Sequence, residues 1–156
     1  MIKIHWKTLL ICIAIPLAVG GLAALLTQGA MADFAALNKP PLSPPAWAFP
    51  VVWSILYVLM GIASYLIITS GMPYRAHTAL IPYGVQLAFN FVWSLIFFGA
   101  GRYLFAFVWL VVLWLLILAT ALLFSRLRRA AAYLLIPYLV WVAFAGYLNF
   151  AIYLLN

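Results

Sequence analysis

At 156 residues the chain is one domain by length, and its composition excludes a soluble globule: 71% hydrophobic, 6% charged, mean hydropathy +1.24. Eight Lys and Arg face a single acid, Asp33, for a net charge of +7. The basic residues stand at the ends of apolar runs rather than on one polar face, which excludes a nucleic-acid binder.

Five apolar runs follow one another, each close to the ~20 residues that cross ~30 Å of hydrocarbon. The first, residues 8–27, comes after Lys3 and Lys7. It exceeds the apolar core of a signal peptide, so it is expected to stay as a spanning helix although Ala30-Met31-Ala32 resembles a cleavage site. Cys12 lies alone in this run, which leaves no intrachain disulfide and no cysteine-based metal site. Residues 28–46 form the one long connection, and Pro40, Pro41, Pro44 and Pro45 make it a semi-rigid lid loop. The remaining runs are residues 47–69, 79–99, 103–125 and 130–155, joined by links short enough to set antiparallel neighbours. Lipid leaves no backbone group unpaired and no run alternates like a barrel strand, so all five are helices in a compact all-α bundle. Pro16, Pro50, Pro82 and Pro137 are placed near segment ends.

Lys3, Lys7, Arg75, Arg126, Arg128 and Arg129 fall on one side of the membrane, and Lys39 and Arg102 on the other. This bias puts the N-terminus in the cytoplasm, and the lid loop and C-terminus outside. A helical bundle also favours an inner membrane.

Enzyme constellations are sparse. One carboxylate permits no paired-carboxylate chemistry. His5 and His77 sit at the ends of two different segments and make no metal site, and no run carries the internal charges of an ion pathway. The remaining chemistry is aromatic: seven Trp, nine Tyr and eleven Phe, accompanied by a few amides. At ~100° per residue, Phe49, Trp53, Tyr57, Met60 and Ser64 share an ~80° arc of the second helix. Gln86, Asn90, Trp93 and Phe97 share an ~60° arc of the third, and Tyr138, Trp141, Ala145, Asn149 and Ile152 an ~80° arc of the fifth. Buried amides need partners, so Gln86, Asn90 and Asn149 face the interior, either as glue between helices or as ligand contacts. The topology brings the three stripes to one depth below the loop, as walls of an apolar pocket suited to a flat hydrophobic ligand. On the opposite face of the third helix Gly84 and Ala88, with Leu95, form a small-residue seam suited to pairing two copies or to close packing within the chain, of which a dimer is expected. Ala14/Ala18 and Gly20/Ala24 in the first helix offer the same pattern.

Three blocks carry a family resemblance. The first is Leu37-Asn38-Lys39-Pro40-Pro41-Leu42-Ser43-Pro44-Pro45, followed by Trp47, Phe49, Trp53, Tyr57 and Gly61. The second runs from Gln86 through Asn90 and Trp93 to Phe97-Phe98-Gly99. The third runs from Pro137-Tyr138 through Trp141 and Ala145 to Leu148-Asn149. In order and spacing these resemble the tryptophan-rich sensory protein/translocator protein family (TspO, or peripheral benzodiazepine receptor). The resemblance implies a five-helix bundle, often a homodimer, that binds porphyrins, haem precursors or sterol-like molecules beneath the first loop, with a regulatory role in tetrapyrrole or stress metabolism and no resident cofactor. It would place ligand contacts on Trp53, Asn90, Trp141, Ala145 and Leu148, with Phe49, Tyr57, Trp93, Tyr138 and Asn149 nearby. It also implies an alternative, a light- and oxygen-dependent porphyrin-degrading enzyme acting through Trp53 and Trp141. A third reading is an interaction protein with a vestigial pocket. The chain departs from the family pattern at Asp33-Phe34, where many members carry Trp-Tyr, and at Trp109, where many carry Asp. No basic residue follows Tyr147, so the animal cholesterol pattern is absent.

Overall fold

Apolar runs without caps build long helices here. The computed structural model describes residues 3–156, and α1 (Trp6–Thr27) continues through a 3₁₀ turn, Gln28–Ala30, into the short α2 (Met31–Ala35). Then come α3 (Ala48–Ile68), α4 (Pro73–Ser94) with its π-helical extension Leu95–Gly99, α5 (Tyr103–Ser125) and α6 (Arg129–Leu155). Five of these helical stretches are long and apolar enough to cross a membrane.

Two expected boundaries are corrected. The loop placed at 28–46 is helical as far as Ala35, with a 3₁₀ turn at Gln28–Ala30 around Gly29, because the first proline comes only at Pro40; the irregular segment is 36–47. The third helix starts at Pro73 rather than at residue 79. Proline suits the first helical position, and the polar turn that follows is helical without being apolar. Pro16 and Pro82 stand inside α1 and α4, and Pro137 inside α6, well within their helices rather than at the ends. Gly71 (φ +82°) and Gly101 (φ +64°) supply the left-handed backbone of the turns before α4 and before α5.

Sequence neighbours are not always the closest packing partners. α1 packs on α3, α3 on α6, α6 on α5 and α5 on α4, while α4 closes the ring more narrowly against α1 and α3. The α1–α3 crossing rests on Gly61: a Cβ there would lie 2.5 Å from Ile13 Cα and 2.7 Å from the Cys12 carbonyl oxygen. That carbonyl is the one Pro16 frees, four residues on, so the helix defect in α1 and the missing side chain in α3 occupy the same place. Leu113, Ile117 and Phe124 of α5, Met60 and Ile67 of α3, and Leu135 and Val142 of α6 fill the centre.

Candidate ligand site beneath the loop

The three stripes meet, and hydrogen bonds join them. Tyr57 Oη donates to Asn90 Oδ1 at 3.1 Å, Asn90 Nδ2 donates to Tyr138 Oη at 2.7 Å, and Tyr138 donates to Gln86 Oε1 at 2.6 Å. Gln86 Nε2 lies 3.8 Å from Met60 Sδ, and the Tyr83 hydroxyl donates to the Met60 carbonyl at 3.3 Å. One polar chain therefore ties α3, α4 and α6 together. A buried group left unpaired costs ~1–3 kcal/mol, which explains why Gln86 and Asn90 are sealed to 1% exposure with their partners in place.

A second junction lies nearer the loop. Trp93 Nε1 donates to Asn149 Oδ1 at 3.1 Å, and Asn149 Nδ2 donates to the Tyr103 carbonyl at 2.8 Å, linking α4, α6 and the start of α5. Ala145 and Leu148 are buried on the same side of α6. Above it the π turn, closed by the Ala100 N–H on the Leu95 carbonyl at 2.9 Å, redirects the end of α4. Phe97 and Phe98 both reach Phe34 of α2, at centroid distances of 5.9 and 5.2 Å, and Phe34 meets Phe49 at 6.3 Å. Phe34 and Phe98 were not among the expected site residues. Phe98 stands in the second family block and Phe34 at a departure from the family pattern, but a regular helical period places Phe98 away from Phe97.

Trp53 stacks on Tyr57 (5.7 Å, 27°) and meets the Tyr138 ring edge-on at 6.2 Å. Tyr57 is backed by α1, where a Cβ on Gly20 would run into its ring. Gly20 therefore serves packing within the chain rather than a seam between copies. Trp141 meets Phe49 at 6.0 Å and Phe144 at 5.6 Å. Its indole nitrogen is buried and has no hydrogen-bond partner, a condition it shares among the described residues with Ser70 Oγ alone. Three other indoles are paired: Trp93 with Asn149, half-buried Trp109, which donates to the Phe89 carbonyl at 2.9 Å while stacking on Phe89 at 4.3 Å, and half-buried Trp114, which donates to the Leu139 carbonyl at 3.0 Å.

The loop is fastened over this site. The Asn156 side chain accepts from the Asn38 N–H at 3.1 Å and donates to the Asn38 carbonyl at 2.9 Å, and the Tyr147 hydroxyl donates to the Pro41 carbonyl at 3.1 Å. Lys39 Nζ bonds the Ala35 and Leu37 carbonyls and lies 4.9 Å from the Phe34 ring centroid. Leu42, at the tip, holds φ 72°.

Residues 12–155 match the TspO/MBR family profile. The chain belongs to the TspO/MBR family. It is 40% identical over 151 residues to the tryptophan-rich protein TspO of Chlorobaculum tepidum, covering 96% of each chain. To the tryptophan-rich sensory protein of Cereibacter sphaeroides it is 40% identical over 77% of this chain and 74% of that one. To the translocator protein of Ovis aries it is 42% identical over 75% and 70%. As a TspO/MBR protein with five spanning helices, the chain is a multi-pass integral membrane protein.

Proposed function

We propose that this TspO/MBR protein is a membrane receptor or carrier for porphyrins or related flat hydrophobic ligands, held among Phe49, Trp53, Trp141 and Ala145 beneath the loop. The carrying observation is the Trp141 indole N–H, buried without an acceptor and bordered by aromatic rings. A ligand carbonyl, carboxylate or pyrrole edge would satisfy it, and rings would stack on rings. The rings beneath the loop pack against one another, so a ligand enters by displacing side chains or the loop itself. The amides Asn90 and Asn149 serve this site by holding the helices in register, because their own hydrogen-bonding groups are already engaged across the bundle.

The test is a dark titration of the detergent-purified protein with protoporphyrin IX, followed by quenching of tryptophan fluorescence. Trp141→Phe is expected to weaken binding while leaving thermal stability unchanged or slightly raised, since the lost N–H was unpaired. Trp53→Ala should also weaken binding, by the ~1–3 kcal/mol typical of a base stacked on an aromatic ring. Saturable binding that ignores both substitutions would remove the ligand from this site.

The loop contacts give a kinetic prediction. Tyr147→Phe combined with Asn156→Ala removes three bonds that hold the loop at Asn38 and Pro41. Stopped-flow quenching is expected to show porphyrin association and dissociation both accelerated several-fold. Unchanged rates would mean that ligand enters elsewhere. The alternative, porphyrin breakdown through Trp53 and Trp141, is separated by illumination: photoproduct that disappears in Trp141→Phe supports it, and binding without product does not.

The basic-residue bias supports a cytoplasmic N-terminus with the loop outside, and the helical bundle favours an inner membrane. Gly84 and Ala88 are exposed on α4, with nothing within 4 Å of a Cβ at Gly84, and they support a homodimer seam; Leu95 is half-buried at the start of the π turn and contributes less. Cross-linking through Ala88→Cys in membranes tests the seam.

A further inference from the structure

Away from the aromatic site, the α5–α6 seam opens into two consecutive hollows. The inner one, of about 360 Å³, is apolar and lies between Phe107, Val111 and Trp114 of α5 and Ala143, Gly146 and Phe150 of α6. The outer one, of about 770 Å³, lies between Arg102, Leu104 and Phe105 on one side and Tyr153 and Leu154 on the other. They are steps of one stripe. On α5, Leu104, Phe107, Val111 and Trp114 recur at three- and four-residue intervals. On α6, Ala143, Gly146, Phe150 and Tyr153 do the same, with Leu154 next to the last. Phe107 and Phe150, 5.0 Å apart between centroids, both line the inner hollow, and Leu104 and Tyr153 of the outer one stand three residues away along each helix.

We propose that this seam binds one anionic phospholipid, with an acyl chain along the inner hollow and the phosphate at Arg102. Three observations choose this occupant. The seam faces outward from a membrane-spanning bundle, so the molecules that reach it are those of the bilayer. From Tyr103 to Trp114 it is 11 residues long, or ~17 Å of helix, close to the ~15 Å depth of one hydrocarbon leaflet. Trp114 blocks its inner end and is held by the bond to the Leu139 carbonyl. At its mouth stands Arg102, an exposed cation in a chain whose single side-chain carboxylate, Asp33, makes no salt bridge with it among the described residues; Asn156, its side chain bonded to Asn38, lines the same hollow. The other basic residue of this end, Lys39, is engaged by backbone carbonyls and the Phe34 ring, which leaves Arg102 to meet a phosphate.

Gly146 gives the inner hollow its depth. A Cβ there would stand in ordinary contact, 3.8 Å from Leu110 Cδ2 and 3.9 Å from Phe107 Cε2, so the first added carbon is accommodated and the atoms beyond it would take up room in the hollow.

The test is native mass spectrometry of the intact protein released from detergent, with palmitoyl-oleoyl phosphatidylglycerol competed against the phosphatidylcholine of identical chains. The unsubstituted protein should retain one phosphatidylglycerol, preferred about fivefold, the weight of one cation at an anionic headgroup. Arg102→Gln should abolish the preference and retain both lipids equally. Gly146→Leu should lose the bound lipid of either kind. Protoporphyrin quenching should be unchanged in both variants, which separates this seam from the site beneath the loop. A preference that survives Arg102→Gln would assign the lipid to the basic residues of the opposite end and overturn the proposal, as would retention in Gly146→Leu. Should Gly146→Leu not yield a monodisperse protein, Arg102→Gln decides alone.

Discussion

Gly61→Val is expected to prevent recovery of a monodisperse bundle, while Gly21→Ala, on the neighbouring helix, is tolerated. The contrast follows from what each new side chain meets. At Gly61 the first added carbon would already lie 2.5 Å from Ile13 Cα and 2.7 Å from the Cys12 oxygen, both backbone atoms that no rotamer change moves. Carbon atoms pack at ~3.5–4.0 Å, so α1 must retreat by about 1 Å before the valine methyls are counted. Overpacking a core costs ~1–3 kcal/mol even where side chains can adjust, and here the displaced element is a helix. The retreat would also draw Gly20 off Tyr57 and loosen the wall behind Trp53. Gly21 has nothing within 4 Å of its Cβ position, and alanine there gains up to ~1 kcal/mol of helix propensity. The measurement is the apparent melting temperature in detergent, taken as the fraction surviving size-exclusion chromatography after heating. A Gly61→Val protein that elutes and melts like its parent would show that α1 and α3 do not cross at this point.

The fold was legible wherever lipid imposes a simple rule. Twenty apolar residues in hydrocarbon have one way to pair their backbone, so the five spans followed from run length alone. The stripes were legible because 3.6-residue periodicity holds through Tyr57, Asn90 and Asn149. What escaped reading depends on departures from that period, or on contacts between segments remote in sequence. Residues 28–35 carry little hydropathy signal and include Gly29, so they read as loop, although no proline interrupts the helix there. The π turn adds a residue to one turn of α4, and this turns both Phe97 and Phe98 toward Phe34. Short links argued for α3 beside α4, yet α3 makes its broader contacts with α1 and α6, because link length says nothing about partners further along the chain. Trp109, where many family members carry Asp, still makes a polar contact, because its indole donates to the Phe89 carbonyl.

Asn90→Leu is expected to lower the apparent melting temperature by about 5–10 °C, corresponding to ~2–3 kcal/mol for a chain of this size. Leucine matches asparagine in shape, so packing changes little and the loss is polar. Asn90 accepts from Tyr57 on α3 and donates to Tyr138 on α6. Interhelical hydrogen bonds in membranes average only ~0.6 kcal/mol and reach ~1.7, because the separated helices find other partners. The greater cost is the Tyr57 hydroxyl, left buried with no acceptor, at ~1–3 kcal/mol. Tyr138 keeps its bond to Gln86 and adds less. This division can be checked: Tyr57→Phe introduced into the Asn90→Leu protein should recover part of the lost stability, although Tyr57→Phe alone destabilises the parent. Additive losses would mean that the two groups do not share a bond. The same pair of proteins separates structure from recognition. If Asn90 acts by holding α3, α4 and α6 in register, porphyrin affinity should fall with stability and return with it in the double variant. An affinity that stays low once stability is restored would assign Asn90 to the ligand instead.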